Sequence, residues 1–183
     1  MFKDNSKRKL DLIRRLKPIT KNNHRLDITK LLVDSNIVLY NDNYIVDDIY
    51  TYVDEYNFEW VEYQLINLLT LEKRYMSIFE DDEIEIYFTH TKLKLRHLNL
   101  TRDEVLEKVE SEDSIEYEDV YYYYDSDYGV TFKRSDGSTE NCRVYEFESD
   151  ECTSLSIEEW ETGEFECHIS NLIYRNSVTI LSI

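Results

Sequence analysis

Hydrophobic positions change their period along the chain. Near the start Leu10, Ile13 and Leu16 recur every three residues with Leu12 close by, and Pro18 stops the pattern. This spacing predicts a short, basic amphipathic helix over about residues 7–17. From Asn36 onward the period is two: segments 37–40, 44–53, 58–69, 74–79 and 84–88 are rich in Tyr, Ile, Val, Phe and Trp and are separated by short acidic turns. Such segments read as antiparallel strands. Thr101-Arg102-Asp103-Glu104 then forms a capping-box signature ahead of Val105, Leu106 and Val109, which predicts one helix over 101–110. Strand patterning resumes at 114–124, 129–134, 142–148, 153–160, 164–170 and 177–183. Asp136-Gly137 and Thr162-Gly163 stand where hairpin turns need a residue at positive φ.

The expected fold class is mainly β: antiparallel twisted sheets of about ten strands, sandwich or barrel-like, with one connecting helix and a short N-terminal helix or arm. Residues 1–30 form a basic N-terminal arm and 31–183 a single β-rich domain. Met76-Ser77-Ile78-Phe79-Glu80 before Ile84-Glu85-Ile86 is echoed by Leu155-Ser156-Ile157-Glu158-Glu159 before Phe165-Glu166-Cys167. The echo points to two duplicated meanders, similar halves 36–98 and 111–183 joined by the helix near 101–110. Trp60 and Trp160 stand one in each half near the echoed hairpin, so each is expected to be buried and to anchor its own half.

Composition supports a globular chain with a core. The 183 residues are 42% hydrophobic and 14% aromatic, and no apolar run approaches the roughly 18 residues of a spanning helix. The net charge of −18 hides an asymmetry: residues 1–30 carry ten Lys and Arg against three Asp and Glu, whereas residues 31–183 carry a net −25. An acidic body repels phosphate backbones, so direct nucleic acid binding by the main domain is not expected. The basic helix has two readings, a weak contact with an anionic membrane or acidic partner through residues 1–30, or packing back onto the acidic body. Cys142, Cys152 and Cys167 lack CxxC spacing and no disulfide is assigned; Cys142 and Cys167 lie in alternating stretches and read as small core hydrophobes rather than a metal or redox site, and the location expected is cytoplasmic.

Candidate chemistry is sparse. Tyr117, Tyr121, Tyr122, Tyr123, Tyr124 and Tyr128 place aromatic area on both faces of one predicted strand, which serves either base or sugar stacking or, as expected here, core and rim packing. The acidic clusters Glu80-Asp81-Asp82-Glu83 and Glu158-Glu159 match no EF-hand spacing and read as solvated turns that keep sheet edges from pairing, although a hard cation or a carboxylate pair is the sharper alternative. His24, His90, His97 and His168 form no HExxH or HxH motif, and no nucleophile elbow or phosphate loop is present. No catalytic, cofactor-binding or metal-binding residue is assigned on these grounds, and no cofactor.

Trp60-Val61-Glu62-Tyr63-Gln64-Leu65 followed by Arg74-Tyr75-Met76-Ser77-Ile78-Phe79-Glu80-Asp81-Asp82 resembles the W-x-E-Y-x-L and R-W-L-S-V-E-E-D-D stretch of the bacterial domain-of-unknown-function family numbered 4178. Segments 117–122, 144–148, 155–158 and 177–180 resemble its second half, so the likeness covers about 36–183 and leaves the basic arm outside. Ile78 and Phe79 replace the usual Val-Glu, and Asp119 replaces a turn glycine. The resemblance implies no established activity. It implies a cytoplasmic companion of phage-shock-type envelope-stress proteins, hence a non-enzymatic interaction module with a membrane-associated protein partner. The alternative is a small-ligand or carbohydrate-acting enzyme using Glu80, Asp82, Glu158 or Glu159 as acid and base, and a third reading is an acidic DNA mimic.

Overall fold

The computed structural model describes residues 2–19 and 26–183, with side chains of the first helix from Ser6 onward. Its helices are α1 (Phe2–Arg15) and α2 (Arg102–Glu110). The strands are β1 (Asn36–Leu39), β2 (Asp42–Asp54), β3 (Glu59–Asn67), β4 (Lys73–Glu80), β5 (Ile84–Leu93), β6 (Ser114–Tyr117), β7 (Val120–Lys133), β8 (Thr139–Glu148), β9 (Thr153–Trp160), β10 (Phe165–Ile173) and β11 (Val178–Ser182). The fold is mainly β, and the antiparallel strands share one sheet in the order β11-β1-β2-β3-β4-β5-β10-β9-β8-β7-β6, with a further β2–β7 pairing. Strands β1 to β5 and β6 to β10 are thus two runs of sequential neighbours, and the echoed segments lie on the β4–β5 and β9–β10 hairpins.

One expectation about strands is corrected. The segment 114–124 is two strands, because Glu118 and Asp119 take φ of 51° and 65° and close a two-residue turn between Tyr117 and Val120. Two consecutive positive φ values match the twist of a hairpin, and Asp tolerates them better than most residues. Gly137 and Gly163 have φ of 86° and 80°, as their turn positions demand.

The chain divides into two compact units whose boundaries fall inside β2, β3, β5 and β10: Met1–Tyr50, Val61–Ile86 and Ile173–Ile183 form one, Thr51–Trp60 and Tyr87–Leu172 the other. In the first unit Ile37, Leu39, Ile45, Leu65, Met76 and Ile86 are fully buried. Helix α1 docks on this unit. Leu12 is buried against Ile45, Ile66 and Leu71 with Leu16 beside it, and the Arg15 guanidinium donates to Asp34 at 2.6 Å and Asp47 at 2.8 Å. Leu10 and Ile13 are left 54% and 58% exposed, so the single stripe of Leu10, Ile13 and Leu16 expected from their spacing does not form. At about 100° per residue Leu12 and Leu16 share one side of a helix and Leu10 and Ile13 the other.

In the second unit α2 lies where its capping box predicts. The Thr101 hydroxyl accepts from the Glu104 amide at 3.4 Å, while Glu104 Oε2 accepts from the Thr101 amide at 2.7 Å. Val105 is buried against Leu98, Ile115, Tyr122, Phe147, Leu155 and Ile157. Replacing Thr101 by Ala removes one acceptor from the first turn, so urea unfolding should show a loss of about 1 kcal/mol. An unchanged midpoint would show the cap to be energetically idle.

Candidate functional site

Strands β9 and β10 meet across the Thr162-Gly163 turn in a register that sets Glu158 opposite Glu166 and Ser156 opposite His168. Side chains alternate along a strand, so Leu155, Ile157, Cys167 and Ile169 join the apolar cluster under α2. Ser156, Glu158, Glu166 and His168 therefore occupy the other face. Strand β8 contributes Val144 opposite Glu158 and Glu146 opposite Ser156. Strand β7 contributes Tyr128 only because the ladder slips between Tyr124 and Ser126: Tyr122 and Tyr124 stay on the α2 side, whereas Tyr128 and Phe132 turn to the side of Glu146. One extra residue in a ladder moves everything beyond it to the opposite face.

Like charges directly opposite in a ladder destabilise it, and burial raises the penalty. Here Glu158 is 6% exposed and Glu166 half-buried. Three groups answer the charge. His168 Nε2 lies 3.8 Å from Glu166 Oε2, Lys92 Nζ donates to the same oxygen at 2.5 Å, and the Tyr52 hydroxyl reaches Glu158 Oε1 at 3.5 Å. The neighbouring His168, helped by Lys92, holds the Glu166 carboxyl at about 2. Burial pushes the Glu158 carboxyl upward, and its Oε2 has no hydrogen-bond partner among the described residues. Burial also pushes Glu146 up to about 7, although Ser156 and the Tyr128 hydroxyl, at 3.2 Å, stabilise its charge. The result is a pair of facing carboxylates whose proton affinities are driven apart, next to an imidazole.

An aromatic wall adjoins these groups. Trp60 stacks on Tyr52 with centroids 5.2 Å apart and meets Tyr128 edge-on at 6.2 Å, while Phe132 contacts Tyr52 at 5.0 Å and Trp160 at 5.4 Å. Trp60 is buried as expected and Trp160 half-buried. Both tryptophans belong to the second unit and share one aromatic chain, so the expectation of one anchor in each half is corrected.

Of the four carboxylates singled out in the sequence, only Glu158 enters this cluster. Glu158 and Glu159 lie within β9 rather than in a solvated turn, and strand alternation separates them. Glu159 faces the other way and accepts from Arg102 at 2.6 Å and the Tyr145 hydroxyl at 2.7 Å. Glu80 and Asp82 are exposed at the β4–β5 turn of the first unit, as expected of a solvated turn. Cys142 and Cys167 are buried, and burial pushes both thiols upward, Cys167 to about 12, which suits small core hydrophobes; Cys152 is exposed. Tyr121 and Tyr123 are exposed rim residues while Tyr122 is core. His90 and His97 occupy exposed positions outside the set of Glu158, Glu166 and His168, and His24 lies outside the described residues.

Glu146, Glu166 and His168 were missed by motif reading, because no spacing rule covers them. The signal was present as Glu166-Cys167-His168, which puts a carboxylate and an imidazole on one strand face, and as the Thr162-Gly163 turn, which sets Glu158 opposite.

A family model described as Domain of unknown function (DUF4178) matches residues 37–174. The chain belongs to this family. The DUF4178 stretch contains Glu146, Glu158, Glu166 and His168, whereas α1 and β11 fall outside it. No curated protein and no solved structure matches the chain. No helix among the described residues is long and apolar enough to cross a membrane.

Proposed function

We propose that this DUF4178 protein is a non-enzymatic interaction module that holds to an anionic membrane surface through α1. The observation that carries the reading is the division of labour on that helix: Leu12 and Arg15 fasten it to the body, while Leu10 and Ile13 face solvent beside exposed Lys7 and Arg14. Apolar side chains ringed by Lys and Arg match the boundary between headgroups and acyl chains, and each basic residue near an anionic surface contributes about 1 kcal/mol. Two half-exposed aliphatic side chains add only modest burial, so the contact is weak and falls with salt. The setting proposed is the cytoplasmic face of an envelope, beside the membrane-associated stress proteins that the family resemblance implies.

Flotation with vesicles of phosphatidylglycerol and phosphatidylcholine tests this. The intact protein should float with anionic vesicles at low salt and remain behind with pure phosphatidylcholine. Leu10→Asp combined with Ile13→Asp should abolish flotation without lowering the melting temperature, since neither side chain is in the core. Equal flotation of variant and wild type, or no flotation of either, would overturn the proposal.

A further inference from the structure

The chemistry of the buried cluster goes beyond surface attachment. We propose that Glu158, Glu166 and His168 form a binding site for one divalent transition-metal ion of the zinc type. One carboxylate oxygen from each glutamate and one imidazole nitrogen lie within 4.8 Å of one another. Donors around a zinc ion at about 2.0–2.2 Å stand at most about 4 Å apart, so a small rotation of the long Glu158 and Glu166 side chains closes the set. Two carboxylates with one imidazole suit a metal of intermediate softness, whereas calcium and magnesium favour oxygen ligands throughout.

A second observation points to the same ligand. Glu158 is 6% exposed, stands directly opposite Glu166, and its Oε2 lacks a hydrogen-bond partner among the described residues. A buried carboxylate oxygen in that condition calls for a proton or a cation. A divalent ion would satisfy the orphaned oxygen and cancel the repulsion between the two facing carboxylates together. The surroundings provide support: Tyr52 donates to the other oxygen of Glu158, and Lys92, partly exposed, holds Glu166 through Oε2, the oxygen 3.8 Å from His168 Nε2. Three protein ligands leave a zinc ion one further position, which water can fill.

The test titrates the full-length, chelator-treated protein with zinc chloride and reads stoichiometry and affinity by calorimetry. One ion per chain is expected. Glu158→Gln and His168→Gln should each weaken binding by more than about a hundredfold, and Glu159→Gln, on the opposite face of the same strand, should leave it unchanged. A measurement on the wild type alone guards against a variant that fails to fold: in a long-range proton–nitrogen spectrum the imidazole nitrogens of His168 should shift on zinc addition, while those of His24, His90 and His97 stay fixed. Movement of all four histidines alike, of none, or binding that survives both ligand variants would overturn the site. Loss of zinc binding with vesicle flotation intact would leave the surface proposal standing, because α1 and the cluster are tested separately.

Discussion

Trp60→Ala is expected to lower the unfolding free energy by about 3–5 kcal/mol and the melting temperature by about 6–20 °C. Trp60 is 7% exposed, stacks face to face on Tyr52 and touches Tyr128 at its edge. Deleting the indole removes its burial, opens a void that neighbouring rigid rings fill poorly, and exposes the buried Tyr52 hydroxyl contact with Glu158 to water. Trp160→Ala should cost less, because Trp160 is only half-buried and meets Phe132 on one edge. Guanidinium unfolding of both variants checks the order. A Trp60→Ala protein as stable as the wild type would show that the indole is displayed for a ligand rather than packed.

Stability should also fall as pH rises from about 5 to 7, in buffer with a chelator. The Glu146 carboxyl, ordinarily near 4.5, is raised to about 7 by burial. Between those values the folded state holds a proton that the unfolded state has released, so raising the pH favours unfolding. At about 1.4 kcal/mol for each pKa unit, the window amounts to about 3 kcal/mol. The groups facing Glu146 are Tyr128 on β7, Ser156 and Glu158 on β9 and His168 on β10; burial shifts Glu158 in the same direction. Glu166 acts with the opposite sign. Its carboxyl is held at about 2, so its contribution is complete above about 4.5 and is lost as pH falls toward 2. The stability maximum should therefore lie near pH 5. Glu146→Gln should flatten the decline and make the protein more stable than wild type at pH 8, as read by urea unfolding across that range. A Gln variant with the wild-type slope would sink the assignment, because general self-repulsion of a chain with net charge −18 acts on both proteins alike.

The mainly β class, most strand positions, α2 with its cap and the turns at Gly137 and Gly163 were legible because each rests on local rules: alternation, a capping box, a need for positive φ. The positions of Leu10 and Ile13 on α1 were not, since a three-residue spacing drifts around the helix and only the docking surface decides which side is inward. The slip between Tyr124 and Ser126 was likewise hidden. A bulge has no fixed sequence mark, yet it alone carries Tyr128 to the face of Glu146. Of the cluster, Glu158 drew notice as a carboxylate but was read as a solvated turn; adjacency of two glutamates hides the fact that a strand sends them to opposite faces.

The pairing of β1 with β11 bears on the order in which the chain assembles. Asn36 lies opposite Ser182 and Leu39 opposite Val178, so β1 waits for a strand made only after β2 to β10 have followed it. Contacts at such separation carry a heavy loop-closure entropy and form slowly, whereas the hairpins from β6 to β10 close over short stretches. During synthesis, β1 and β2 must therefore pass a period with an open edge of unpaired amides and carbonyls, bordered by Ile37 and Leu39. That edge is the place where a nascent chain is open to mispairing, and where a strand-binding chaperone would find its first foothold.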